Sequence, residues 1–460
     1  MTGLFFCNSA VERMIFKIIK KYKYLLIVGL IVGGYFAIAQ VLPKSLSRYP
    51  AFVIIFLLDI YLWSAIKSWI SRQSKIWEIS LNLLYWLPLA MIVSTTIISL
   101  FKPIQTWNTS VYLNISGFAL ICYTAKIFTT LFILLTDFIR GMKFILRFAK
   151  TKRTKQIKKA ELPLITRNKF IKNLGLLTGG VILSGMLVGR FKWASAFKLR
   201  SEDIILPKLP QAFNGLKIIQ FSDLHLGSWP SSTPISEIAE IINEQDADLV
   251  FFTGDLVNFS TSEAFKFEEI LKEITAPLGV FSILGNHDYG DYVNWETDEA
   301  KEDNMQQLYD LHNRIGWKLL RNENHILEKN GSKLAILGVE NWGDNPRFPK
   351  KADMNKTLEG IENDTLQLLL SHDPSHWDKV ISKKYKHIDL TFSGHTHGFQ
   401  FGIETSLFRW SPAQYLYKYW AGLYRIKSQF LYVSRGTGYL GYPGRIGISP
   451  EITLFTLNNE

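Results

Sequence analysis

The 460-residue chain carries 52 Lys/Arg against 40 Asp/Glu, a formal net charge of +12, and its length allows two or three domains of the usual ~100 to 200 residues. That sum hides a division: residues 1–200 hold 28 Lys/Arg and five Asp/Glu, whereas 201–460 hold 24 and 35, so the halves carry +23 and −11. An acidic second half excludes a nucleic-acid reader, which puts its basic stripe on the folded domain that does the reading, and two cysteines, Cys7 and Cys122, exclude a disulfide framework there.

Taken from the N-terminus, five apolar stretches approach the ~20 residues that a helix needs to cross a bilayer. They are 24–42, 50–66, 79–101, 116–138 and 174–188. The second and fifth are short, which makes four the smaller count. Cations lie between them unevenly. The N-terminal tail has Arg13, Lys17, Lys20, Lys21 and Lys23, the loop after the second stretch has Lys67, Arg72 and Lys75, and 140–172 has twelve; the other loops hold only Lys44, Arg48 and Lys102. Basic flanks stay in the cytoplasm, so the pattern predicts an inside N-terminus and places everything after the fifth stretch outside. The organisation read from it is a multi-spanning α-helical membrane region over 1–188 with a basic cytoplasmic loop at 139–173, a linker at 189–210, and a globular domain over 211–460. The segment 166–172 resembles a twin-arginine export signal with Asn168 in the place of the second arginine; a basic membrane flank accounts for the same residues. Within the spans, Asp59 and Lys126 are ionisable, and burying either alone in lipid costs at least ~2.5 kcal/mol, so the two are expected to pair.

Beyond Leu206 the pattern changes to short apolar runs alternating with amphipathic segments, as in a layered α/β domain. Strands are predicted at 217–221, 249–252, 280–284, 335–339, 366–370, 389–392, 430–433 and 452–456, and helices at 235–244, 265–274, 305–315 and 376–383. Polar clusters follow the strands: Asp223-Leu224-His225, Gly254-Asp255, Gly285-Asn286-His287-Asp288, Ser371-His372-Asp373 and Gly394-His395-Thr396-His397. In layered α/β folds the loops after strand C-termini converge on one crevice. Hydrolysis of a phosphate ester needs charge neutralised on the phosphoryl oxygens, a nucleophile drawn from water near neutral pH, and a proton for the leaving alkoxide. Two metals ~3.5 to 4 Å apart serve the first two needs. Carboxylate and amide oxygens mixed with imidazoles suit manganese, iron or zinc, and the lack of thiolates argues against a structural zinc site.

The order D-x-H, G-D, G-N-H-D, H, G-H-x-H over 223–397 resembles the calcineurin-like metallophosphoesterase superfamily, and 431–436 with 450–452 resembles its membrane-associated bacterial branch. The resemblance covers about 208–459 and implies a layered β-sandwich flanked by helices. It implies that Asp223, His225 and His397 bind one divalent metal, that Asp255 bridges, and that Asn286, His372 and His395 bind a second. His287 would stabilise or protonate the leaving oxygen. The family's acidic partner for that histidine falls at Asn258, so the dyad is absent or supplied otherwise. His312, His325, His376 and His387 belong to no motif and read as surface or core residues.

Aromatic residues between His397 and Arg435, among them Phe408, Trp410, Tyr415 and Tyr417, are interleaved with Arg409, Lys418 and Arg425. Such a mixture stacks on bases or suits a membrane interface; a tethered domain favours the interface. Arg435 and Arg445 are candidates to clamp a substrate phosphate. The expected protein is an integral membrane phosphoesterase of a bacterial plasma membrane, facing away from the cytoplasm, with a lipid-linked phosphoester or pyrophosphate as one substrate class, soluble nucleotides or phosphoproteins as another, and no nucleic acid as partner. The alternative is a membrane sensor or transporter-like protein whose hydrolase domain is regulatory.

Overall fold

The computed structural model describes residues 25, 27–29, 31–40, 46–47, 49–101, 107, 109–149, 167–405 and 407–460. The N-terminal cations, Cys7, Thr166 of the export-like segment and most of the basic loop lie outside the described residues. The chain divides into two compact units, one built on the residues to Met91 with Cys122–Gly180, the other on Ile92–Ile121 with Val181–Glu460.

Four helices among the described residues are long and apolar enough to cross a membrane. They are α1 (Tyr49–Ile70), α2 (Lys75–Phe101), α3 (Thr109–Ala149) and α4 (Arg167–Val188), the last running on through a π-helical turn, Gly189–Trp193. The described residues between 25 and 40 are also helical, in an apolar helix shorter than a span. The two stretches that read as short in sequence each belong to a helix of 22 residues, because polar residues at their ends continue the turn.

The expected pair is present. Lys126 Nζ of α3 lies 2.6 Å from Asp59 Oδ1 of α1 and donates to the Tyr85 carbonyl at 2.9 Å, while Tyr123 Oη donates to Asp59 Oδ2 at 2.6 Å. Asp59 is fully buried, so the carboxylate has partners on both oxygens and the ammonium has two. Removing one member leaves a buried charge unmatched, at a cost of about 3–5 kcal/mol. Asp59→Asn and Lys126→Met are each expected to lower the melting temperature of the detergent-solubilised protein, and the swap Asp59→Lys/Lys126→Asp to recover most of the loss. No recovery in the swap would mean that the pairing is not what the two residues contribute.

The second unit carries two six-stranded sheets. In chain order its strands are β1 (Lys198–Ile205), β2 (Leu216–Phe221), β3 (Leu249–Phe252), β4 (Val280–Ser282), β5 (Trp317–Leu319), β6 (Glu323–Lys329), β7 (Ser332–Gly338), β8 (Leu366–Leu370), β9 (Leu390–Ser393), β10 (Ile403–Glu404), β11 (Arg409–Trp410), β12 (Gly422–Ile426), β13 (Gln429–Val433) and β14 (Glu451–Asn458). One sheet runs β1-β14-β2-β3-β4-β5, the other β12-β13-β9-β8-β7-β6, and β10 and β11 form a separate hairpin. Ile218, Leu249, Phe251 and Phe281 of the first sheet interlock with Leu334, Leu368, Leu390 and Phe392 of the second in one buried core. Period-two alternation sends the opposite faces outward, where helices α5 (Thr233–Asn243) and α6 (Asp298–Arg314) cover the first sheet. The expected β-sandwich flanked by helices is therefore the observed fold.

All eight predicted strands are present. The linker read at 189–210 is more structured than expected: β1 pairs in parallel along β14 from Lys198↔Glu451 to Ile205↔Asn458. Only Ile204 of this edge strand is buried, so its sequence carries little apolar signal.

Candidate metal centre

The C-terminal ends of β2, β3 and β4 in one sheet and of β8 and β9 in the other meet at one place. Gln220 ties the sheets together beneath it, donating from Nε2 to the Ser393 carbonyl at 2.9 Å. Gly394 N donates to the His372 carbonyl at 2.9 Å, and Asp223 N to the Gly254 carbonyl at 2.9 Å, so backbone bonds join the loops after β8 and β9 and those after β2 and β3 in pairs. Two glycines are required by close approach. A Cβ on Gly285 would stand 2.2 Å from Asp255 Oδ1, and one on Gly394 would stand 2.4 Å from Asp223 Oδ2. Asp223, His225, Asp255, His395 and His397 all hold positive φ, between 48° and 72°. For non-glycine residues this costs of order 1–3 kcal/mol each and gathers at functional sites.

The side chains form two groups, Asp223 with His225 and His397, and Asp255 with His372 and His395, the ligand atoms of each lying within 4.8 Å of one another. His225 Nε2 faces His397 Nε2 at 3.0 Å, and His397 Nε2 is 3.4 Å from Asp223 Oδ1. In the second group His395 Nδ1 is 3.2 Å from His372 Nε2, itself 3.2 Å from Asp255 Oδ2. The same Oδ2 lies 3.6 Å from His225 Nε2, so Asp255 stands between the groups. Its Oδ1 accepts from His287 N at 2.8 Å, which fixes the carboxylate's orientation.

Hydrogen bonds behind the imidazoles set which nitrogen is free. His225 Nδ1 donates to Asn258 Oδ1 at 2.9 Å and His372 Nδ1 to the Thr253 carbonyl at 2.7 Å, leaving each Nε2 lone pair aimed inward. Burial pushes His225 down to about 3 and holds His395 and His397 below the usual imidazole range, so these rings are neutral. Burial opposes the charge on His372 as well, but the Asp255 carboxylate outweighs it and lifts that ring to about 10, so its Nε2 offers a lone pair only once an arriving cation displaces the proton. Asn286 donates from Nδ2 to Tyr292 Oη at 2.9 Å, while its buried Oδ1 has no hydrogen-bond partner. Convergent lone pairs, a shared carboxylate and an orphaned amide oxygen fit divalent cations held by oxygen and nitrogen ligands. Bound there, such ions would neutralise phosphoryl charge and lower the pKa of an attacking water.

His287 stands beside the groups without joining either, its ring 5.0 Å from that of His225. The acidic partner missing at Asn258 is replaced by that residue's own backbone: His287 Nδ1 lies 2.9 Å from the Asn258 carbonyl. This bond fixes the ring through Nδ1. His287→Gln is expected to keep the metal content while lowering turnover ~10²- to 10⁴-fold for alkyl esters, as loss of general-acid help does. Aryl esters, with better leaving groups, should lose far less; equal losses would remove the acid role.

Arg435 and Arg445, the clamp candidates, are held differently, and Arg445 Nη2 lies 3.5 Å from His397 Nδ1. Both are buried; Arg435 pairs with Glu451 and Glu404, each at 2.6 Å, and Arg445 donates to the Gly436 carbonyl at 2.9 Å. Their guanidinium groups also tie the C-terminal loops together. His312, His325, His376 and His387 join neither ligand group, as expected. Several contributing residues had no role assigned from sequence. Asp288 accepts from four backbone N–H groups, Tyr417 Oη meets His395 Nε2 at 2.8 Å, and Asp373 Oδ2 lies 3.5 Å from that nitrogen. Asp288 and Asp373 sit inside the motifs, which was the available signal; Tyr417 had none beyond its place in the aromatic run.

Residues 216–399 match the family described as calcineurin-like phosphoesterase, and 44–193 match one described as a probable calcineurin-like phosphoesterase transmembrane domain. Similar proteins include the uncharacterized metallophosphoesterase YkuE of Bacillus subtilis, 28% identical over 64% of this chain and 98% of its own length. A transmembrane protein with metallophosphoesterase domain from Danio rerio is 30% identical over 56% of this chain and 57% of its own. The UDP-2,3-diacylglucosamine pyrophosphatase LpxG of Chlamydia muridarum is 29% identical over 45% and 70%. One match falls on the apolar helices and the other on the sandwich that gathers the two side-chain groups, so the chain carries a calcineurin-like phosphoesterase domain, a phosphoester-hydrolysing unit, joined to a phosphoesterase transmembrane domain.

Proposed function

We propose that this protein uses two divalent metal ions, of manganese, iron or zinc, to hydrolyse a phosphoester or pyrophosphate bond in a lipid-linked substrate. The observation that carries the reading is the placement of Asp255 between two histidine-bearing groups, with His287 beside them. Asp223, His225 and His397 would hold one ion and Asn286, His372 and His395 the other, with Asp255 shared. His287 gives a proton to the departing oxygen from Nε2. The membrane helices favour a substrate that is itself held in a bilayer, and a relative whose name makes its substrate a diacylated sugar nucleotide supports the same class. Basic residues flanking the helices favour a hydrolase domain outside the cytoplasm of a bacterial plasma membrane.

The test uses the full chain in lipid nanodiscs, with metal analysis and hydrolysis assays on a lipid-linked pyrophosphate, a soluble nucleotide and an aryl phosphodiester. Two metals per chain and preferred turnover of the lipid-linked pyrophosphate are expected. Preference for the soluble nucleotide would make the helices an anchor alone and overturn the lipid-linked class.

A further inference from the structure

The segment 399–416 holds large apolar side chains out of the domain. Phe401, Ile403, Leu407, Phe408, Tyr415 and Leu416 are all exposed, Leu407 at 97% and Leu416 at 72%. Contiguous exposed apolar surface marks an interaction site. The segment is built, not slack. β10 pairs with β11 through Ile403↔Trp410 and Glu404↔Arg409. The Glu404 carboxylate accepts from Arg435 Nη2 at 2.6 Å and Arg200 Nη2 at 2.7 Å, and Gly402 N donates to the Ile446 carbonyl at 2.9 Å.

Its neighbour says what covers it. The loop that carries Ile446 is also the loop that receives the end of the last span: Arg445 N donates to the Gly189 carbonyl at 3.2 Å, and Tyr442 Oη donates to the Met186 carbonyl. Met186 and Gly189 both lie inside the span Phe170–Trp193. One residue of that loop therefore bonds Gly402, which leads into the hairpin, while the residue before it bonds the end of an apolar span. Trp410 and Arg409 on the hairpin are residues that favour the level of lipid headgroups.

The apolar face also leads to the ligand groups. Leu416 and Tyr417 line a cleft of about 560 Å³ that Asp373 also lines. Tyr417 and Asp373 both touch His395. We infer that the hairpin and the 415–416 turn sit in the headgroup layer of the phospholipid bilayer and form the ramp by which a lipid-held phosphate reaches the cleft. The contact with lipid stands on the geometry alone; the delivery of substrate rests on the lipid-linked reading above.

A full-length Leu407→Cys variant with Cys7→Ser and Cys122→Ala, carrying an NBD fluorophore, is reconstituted in phosphatidylcholine/phosphatidylglycerol vesicles. Blue-shifted emission, quenched by doxyl-labelled phosphatidylcholine and protected from aqueous iodide, is expected. The same label at Asn330→Cys, in the exposed turn between β6 and β7, should be quenched by iodide. Iodide quenching at Leu407 equal to that at Asn330 would overturn the contact. A blue shift that persists in detergent and grows with protein concentration would assign the face to a second copy and overturn it too. Leu407→Asp/Phe408→Asp should lower hydrolysis of the lipid-linked pyrophosphate at least tenfold and leave the aryl phosphodiester within twofold. An equal fall on both substrates would make the hairpin structural and sink the ramp. If lipid quenching is seen while the unaltered protein ignores lipid-linked substrates, the contact survives and the lipid-linked reading fails.

Discussion

Asp255→Asn is expected to abolish detectable phosphoesterase activity while leaving the domain folded. The carboxylate contributes two things at once. Oδ1 accepts from His287 N at 2.8 Å, which an amide oxygen reproduces; Oδ2 faces His372 Nε2 at 3.2 Å and His225 Nε2 at 3.6 Å, where only an anion suits both metal groups. An amide there replaces a shared negative charge with a neutral group that can present N–H to ligand nitrogens. Burial works against the charge on Asp255, but the imidazoles of His372 and His287 hold its carboxyl well below the usual range, so the anion persists across the neutral range and its loss is felt throughout. Removing a partner behind a metal ligand costs ~10–100-fold in affinity or activity; removing a ligand common to both groups should exceed that, with metal content falling below two per chain. The extra stability that saturating metal confers through mass action should shrink in the same variant. Unaltered metal content with near-normal turnover would disprove the bridge.

How much of this was legible depends on what each residue contributes. The side chains that form the two groups were visible because few others can replace a carboxylate or an imidazole at a metal, and each sits just past an apolar run that could only be a strand. Residues acting through backbone groups were opaque. The bond that orients His287 comes from the carbonyl of Asn258, and a carbonyl has no sequence signature. Edge strands were missed for a related reason: β6 mixes exposed and half-buried residues without regular alternation, and none is fully buried, so it carries no period-two signal. Arg435 and Arg445 show how little a sequence says about a guanidinium's partners. Arginines in a Gly-rich segment suggest phosphate binding, but their acidic and carbonyl partners are brought up only by the fold, which buries both guanidinium groups. Asp59 and Lys126 were paired correctly because lipid leaves an isolated charge so few alternatives.

Asp288→Ala is expected to be the most destabilising single change at the site, although Asp288 belongs to neither metal group. Its Oδ1 accepts from Leu256 N at 2.8 Å and Val257 N at 3.2 Å, and its Oδ2 from Asp255 N at 2.9 Å and Gly285 N at 2.8 Å. The carboxylate thus ties the loop after β3 to the loop after β4, the two that present Asp255 and Asn286. Alanine strands those four N–H groups in a place where Asp288 itself is 1% exposed. Each unsatisfied buried donor costs ~1–3 kcal/mol. Water entering the vacated space relieves part of that, so a loss of at least about 3 kcal/mol is expected, a large share of the ~5–15 kcal/mol that holds a typical domain folded. Asp288→Asn separates charge from packing: it keeps the volume and one oxygen but turns an N–H₂ toward two backbone donors, so it should lose nearly as much stability. Denaturant unfolding of the metal-free protein measures this directly, with no contribution from bound ions. If both variants unfold within about 1 kcal/mol of the parent, the four bonds are not what positions Asp255, and the bridging geometry must be held by the β3 and β4 backbones alone.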